Sequence, residues 1–281
     1  MLRVAFAALI AAGFVMSGTA RATDLYEETP EYLPPILWSG FYVGGHFGGA
    51  WGDTDVTDEY DYVGDPIKNS SLGTAGILTG VQIGYNRQSG NFVYGVEADL
   101  GYMSLSGSQS TDLPPPDSYK GDDRLGELTG KYSMEGGLYG DLTARVGYGT
   151  DSVLFYVKGG AAFLNANFKA NYVGANCSTV SGYHCGPANP STFEFEQSDT
   201  LLGWTLGFGV EYALSSNWSL KLEYQHFDFG STSFDHNGEF DFTNSSCCRP
   251  SELKGNVEFS PTVDAVKVGI NYQFRGDDPL R

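Results

Sequence analysis

From Trp38 onward, apolar and polar side chains alternate with a period of two in runs of 10–12 residues. That is the pattern of a strand with one apolar and one polar face. It predicts eight strands, at 41–51, 75–86, 92–103, 138–148, 153–163, 201–212, 218–227 and 265–274. In the third run Phe92, Tyr94, Val96, Ala98, Leu100 and Tyr102 share one face, and Val93, Gly95, Glu97, Asp99, Gly101 and Met103 share the other. The lengths match the about 9–11 residues of a tilted membrane-spanning strand. Three connections are short, at 87–91, 149–152 and 213–217, and four are long, at 52–74, 104–137, 164–200 and 228–264. Short turns at one end and long loops at the other mark an outer-membrane barrel. The expected fold is therefore all-β: an eight-stranded antiparallel up-and-down transmembrane β-barrel with four long extracellular loops and short periplasmic turns.

Alternation alone does not say which face points outward, because a soluble ligand-binding barrel alternates too. Glycine decides part of it. On these strands the polar face carries 13 glycines and the apolar face four, and small residues suit the crowded interior of an eight-stranded barrel. The polar face also carries Glu97, Asp99, Asp141, Glu211 and Glu223 against Arg145, Lys158, Lys221 and Lys267, with His46 beside them. Five acids against four bases imply internal pairing, since unpaired buried charge is costly. A turn centred on Ser216 sets Glu211 opposite Lys221 on the inward face, where opposite charges stabilise. Aromatic residues gather at strand ends (Phe41, Trp51, Tyr85, Phe92, Tyr102, Tyr148, Tyr212, Trp218, Tyr272 and Phe274), as interfacial girdles do.

The chain before the barrel reads differently. Arg3, the uncharged run Val4–Met16 and Ala20-Arg21-Ala22 predict a signal peptide over 1–22. Its apolar run of 13 residues is shorter than the roughly 20 a spanning helix needs. Residues 23–37, acidic and proline-rich, read as a periplasmic N-terminal arm, 38–274 as the barrel and 275–281 as a short C-terminal tail.

Composition narrows the function classes. A net charge of −18 from 34 acids and 16 bases excludes nucleic acid as an expected partner, because phosphate binding needs a basic footprint. The four long connections carry −5, −3, −2 and −5, so the acidity lies almost wholly outside the span.

The segments WSGFYVGGHFGGAWG (38–52), GVQIGYNRQSGNFVYGVEADLGY (80–102) and VKVGINYQF (266–274) resemble the alphaproteobacterial porin-like outer-membrane β-barrel proteins. These are similar in architecture to the transmembrane domain of outer membrane protein A. The resemblance covers the strands of 38–274. It implies a location in the bacterial outer membrane, contact with lipid and lipopolysaccharide, a role in envelope integrity, and no cofactor. It also implies that the barrel-assembly machinery reads Val268, Ile270, Tyr272 and Phe274, although here Arg275–Arg281 follows the terminal aromatic. Some relatives bind haemin, so haemin or a host surface ligand is a possible partner of the loops. His184, His226 and His236 are the histidines such a site could use.

Other candidate chemistry is weaker. Cys177 and Cys185 lie in loop 3, Cys247 and Cys248 in loop 4. An even count in an exported chain favours disulfides. A bond between the adjacent Cys247 and Cys248 is strained, so two crosslinks between loops 3 and 4 are preferred. A zinc site built from these thiols matches no standard spacing. Asp53, Asp55 and Asp58 alternate in a way that can ligate Ca²⁺, but without the glycine and terminal glutamate of an EF-hand; a solvated acidic loop is the plainer reading. His226 and Asp228 resemble the His–Asp pair of outer-membrane proteases, which use ten strands and a second acidic pair. Nucleophile-elbow and P-loop motifs are absent. No enzymatic activity is expected. The function expected is structural and surface-interacting, with a low-conductance porin as the alternative.

Overall fold

The computed structural model describes residues 38–60, 69–113, 128–174, 177–178, 184–185, 191–240 and 251–274. The expected signal peptide, N-terminal arm and C-terminal tail lie outside them. The strands are β1 (Gly40–Tyr60), β2 (Asn69–Ser89), β3 (Phe92–Leu113), β4 (Leu128–Gly149), β5 (Val153–Gly174), β6 (Cys177–Ser178), β7 (His184–Cys185), β8 (Ser191–Ala213), β9 (Trp218–Asp228), β10 (Thr232–Phe240) and β11 (Ser251–Gln273). Neighbours pair antiparallel in the order β1-β2-β3-β4-β5-β8-β9-β11, and β11 closes on β1 from Tyr42↔Gln273 to Tyr60↔Gly255. This is an eight-stranded up-and-down barrel. β10 continues the β9 position along β11. β6 and β7 form a separate two-residue ladder.

The strands run far beyond the expected ends. β3 has 22 residues, half of them past Tyr102. Most of the residues expected in long loops are therefore strand, and Asp53, Asp55 and Asp58 stand on β1. The reason is a change of phase in the alternation. In the lower half, toward the short turns, the outer face is apolar: Phe41, Val81, Val96, Leu142, Val157, Leu206 and Val268 are all exposed. In the upper half the apolar side chains turn inward. On β5, Leu164, Ala166, Phe168, Ala170 and Tyr172 are buried, while Asn165, Asn167, Lys169 and Asn171 alternate with them. On β4 the inversion coincides with a register shift between Gly136 and Tyr139, a bulge that inserts one residue.

An apolar outer surface on the lower half only is what a bilayer requires. Above it the barrel is built like a water-soluble one, with an apolar core. The eleven residues of β3 above Tyr102 carry the wall about 35 Å along the strand at ~3.3 Å per residue. Aromatic pairs edge the lower rim: Phe41–Tyr85 at 4.8 Å, Phe92–Tyr148 at 6.0 Å and Trp218–Tyr272 at 5.0 Å between ring centroids.

Candidate functional site

The lumen is filled in three layers. At the short-turn end Trp38, Val93, Leu154, Tyr156 and Ala213 pack together. Trp38 donates its indole N–H to the Thr150 carbonyl at 3.1 Å, and Gln88 Oε1 accepts from its backbone N–H at 2.7 Å. At the far end the buried residues of the upper wall, among them Leu72, Met103, Phe168, Phe227 and Phe259, form an apolar column.

Between these layers lies a polar network. The structure places His46, Glu97, Asp99, Asp141, Arg145, Lys158, Glu211, Lys221, Glu223 and Lys267 on the inward face, all buried. Period two explains why: each occupies the parity opposite the lipid-facing residues of its strand. Lys158 Nζ sits 2.8 Å from Glu97, 3.1 Å from Asp99 and 3.1 Å from Glu223. Lys267 reaches Glu223 at 2.8 Å and also donates to Gln225. Arg145 donates to Glu211 at 2.9 Å and Glu97 at 3.2 Å. Its guanidinium lies between the rings of Tyr42 and Tyr156, 5.0 and 4.6 Å from their centroids. His46 bonds Gln82 through Nδ1 and the Tyr139 hydroxyl through Nε2, both at 2.6 Å. Because the Gln82 amide N–H donates to Asn271 Oδ1 at 2.6 Å, its Oε1 is the acceptor and Nδ1 of His46 carries the hydrogen.

These bonds join all eight barrel strands. Sequence reasoning named the charges and missed the neutral members, Tyr42, Gln82, Tyr139, Tyr156, Ser219, Gln225 and Asn271. Their signal was the same inward parity.

Glu211 and Lys221 stand opposite each other on the inward face, as expected, but each has other partners. Glu211 binds Arg145, Ser219 and Asn271, while Lys221 lies 3.6 Å from both Glu97 and Glu223. Arg145 and Glu97 come from strands that are not neighbours, while Ser219 and Glu223 lie on β9 itself. His226 does not pair with Asp228, in keeping with the reading of the two as ordinary rim residues. Its Nδ1 contacts Asp264 on β11 at 2.8 Å, and Asp228 instead accepts from the Gly230 N–H at 2.9 Å. His226 stacks against Trp204, and Asp264 also accepts from Tyr224 at 2.6 Å. The cluster sits where the outer face changes from apolar to polar.

Asp53 and Asp55 are exposed on the outer face of β1. The Asp58 side chain lies outside the described residues. The backbone sets Cys177 opposite Cys185. Cys247 and Cys248, and with them the expected crosslink between loops 3 and 4, lie outside the described residues. Val268 and Ile270 face outward from β11, and the rings of Tyr272 and Phe274 meet at 5.1 Å. A groove of about 690 Å³ lined by Val43, Gly45, Val81, Ile83 and Ile270 lies on the lipid-facing surface.

Comparison with known proteins agrees with this architecture. Residues 7–274 match the family model described as outer membrane protein beta-barrel domain. The 31 kDa outer-membrane immunogenic protein of Brucella melitensis is 30% identical over 275 residues, 95% of this chain and 98% of the relative. The 22 kDa outer membrane protein of Rhizobium leguminosarum bv. viciae is 29% identical, over 83% of this chain and 89% of the relative. Among solved structures, the outer membrane protein OprG of Pseudomonas aeruginosa is similar at 14% identity and a TM-score of 0.44, covering 85% of this chain and 97% of that one.

Proposed function

We propose, for a chain that belongs to the outer membrane protein beta-barrel domain family and resides in the outer membrane, a structural role without a conducting pore. The barrel anchors a rigid wall in the membrane and carries it outward, where it meets lipopolysaccharide and presents the connecting segments to the surroundings. The observation that carries this reading is the closed ionic layer. Lys158, Lys221 and Lys267 are 0–2% exposed; Lys158 and Lys267 are locked to carboxylates from other strands and Lys221 lies 3.6 Å from two more, so they plug the lumen. Open aqueous channels belong to barrels of about 16–18 strands. The apolar column above and the Trp38 layer below add two further seals.

The relatives named as immunogenic proteins support a surface-presented wall. Val268, Ile270, Tyr272 and Phe274 are proposed as the signal for barrel assembly, and no catalytic activity is assigned. The experiment is planar-bilayer recording of the refolded full-length chain. The expected result is a baseline without stable openings. A stable pore of large conductance overturns the proposal.

A further inference from the structure

The wall above the membrane has a seam. β8 pairs with β9 only from Trp204↔Asp228 downward. Its upper half, Ser191–Gly203, pairs with β5 on one side. On the other side no ladder joins it to β10 among the described residues, and β10 pairs with β11 alone. The cause is local. Pro261 on β11 has no N–H to give the ladder. Opposite it the chain leaves the strand between Asp228 and Thr232, turning at Gly230 with a φ of 64° and bonding Pro261 only through the Phe229 N–H. β10 then resumes on β11, out of ladder reach of β8.

Side chains close this gap. The rings of Phe195 on β8 and Phe234 on β10 meet at 6.0 Å, and the Thr232 hydroxyl donates to Asp199 at 2.8 Å. Behind them Phe234 touches Phe168 at 5.8 Å and Phe259 at 6.4 Å, the top of the apolar column. The exposure pattern marks the same line. Inward residues where the upper wall is laddered on both sides, such as Leu164, Phe168 and Phe259, are completely buried. Along the seam Phe195, Asp199, Thr232 and Phe234 are only half-buried, and Gln197, at the inward parity of β8, is exposed.

We propose that this seam is a portal through which a small apolar molecule, of one or two rings, enters the upper barrel and takes the place of the Phe195 and Phe234 rings against Phe168 and Phe259. Opening it breaks one side-chain hydrogen bond and a ring contact, whereas parting two laddered strands costs a run of backbone hydrogen bonds; the other unladdered stretch among the described residues, between 69–74 of β2 and 107–113 of β3, has no such pair of aromatic rings across it. Apolar lining and aromatic edges are what such a ligand recognises. The portal faces the outside rather than the bilayer, because it lies above the apolar band.

The test uses the full chain in lipid nanodiscs with N-phenyl-1-naphthylamine as the probe. In a background with the four native cysteines replaced by serine, Phe195→Cys and Phe234→Cys are introduced together, and folding is checked by a heat-dependent gel shift. Saturable probe binding above that of empty nanodiscs is expected in the reduced form. Disulfide closure should slow it by at least about tenfold, as removal of the open state requires. In the otherwise native chain, Thr232→Ala frees the latch, and a probe association rate about threefold or more higher is expected. Equal rates in the oxidised and reduced forms, no effect of Thr232→Ala, or no saturable binding above empty nanodiscs overturns the portal.

Discussion

Glu211 and Lys221 stand directly opposite each other on β8 and β9, yet each is neutralised by a different residue. Lys267 and Glu223 are register partners that do pair, at 2.8 Å, but elsewhere the register does not set the pairing. Arg145 faces Lys158 across β4 and β5, and Asp99 faces Asp141 across β3 and β4. Like charges opposite each other destabilise a ladder, so the compensation comes across the lumen, as with Glu97 against Lys158 or Glu211 against Arg145. The network thereby ties facing walls together. A double-mutant cycle should reveal this. Glu211→Gln with Arg145→Met is expected to couple by more than about 1 kcal/mol, and Glu211→Gln with Lys221→Met by less than about 0.5 kcal/mol. Urea unfolding in lipid vesicles measures both. A larger coupling for the register partners would contradict the cross-lumen assignment.

Lys158 carries the most contacts in the layer, with carboxylates of Glu97, Asp99 and Glu223 within 3.1 Å. Removing it leaves buried negative charge without compensation. Lys158→Met is expected to lower unfolding stability by about 3–5 kcal/mol. Adding Asp99→Asn should restore part of that, because Asp99 bonds Lys158 and no other lysine or arginine among the described residues, so its orphaned charge goes with it. Lys169 provides the contrast. It reaches Glu196 at 3.4 Å and Glu135 at 3.9 Å on the outer surface, where water screens the pair, so Lys169→Met should leave the urea midpoint unchanged. Equal effects at the two lysines would show that burial of the network contributes nothing.

How far the fold was legible follows from the physics of each half. In the lower half a lipid-facing apolar row opposes a Gly-rich polar row, and strands such as Phe92–Tyr102 are plain in the sequence. The upper half alternates just as regularly, as Leu164 to Tyr172 shows, but with small polar residues outside and apolar ones inside. A reading tuned to membrane strands takes Asn165, Asn167 and Asn171 for loop chemistry. The ionic residues were legible because their parity follows from the strand. Their partners were not, because register names neighbours along the wall while these side chains reach across it. The seam at Pro261 depends on a pairing between residues far apart in sequence, and alternation carries no trace of it.

Glycine placement supports a sharper comparison. A Cβ added at Gly84 would meet the Tyr42 hydroxyl oxygen at 2.2 Å, and that hydroxyl donates to Glu97 at 2.7 Å. Gly49 lies on the outer face with nothing within 4 Å of the same atom. Gly84→Ala is therefore expected to displace Tyr42 and cost about 1–3 kcal/mol, as overpacking does. Gly49→Ala should be near neutral. Unfolding midpoints of the two variants, measured side by side, decide it. Loss of stability at Gly49 rather than Gly84 would mean that close packing against lipid, not against the lumen, fixes the glycines.

The cysteines give the last expectation. β6 and β7 set Cys177 and Cys185 as antiparallel register partners. Partners in such a ladder have Cα atoms about 4.5–5.5 Å apart, inside the about 4.4–6.8 Å range of disulfides. Loop 3 can thus close on itself without help from loop 4. In protein exported through an oxidising compartment, non-reducing peptide mapping is expected to recover Cys177 joined to Cys185. A peptide joining either of them to Cys247 or Cys248 would restore the inter-loop crosslink.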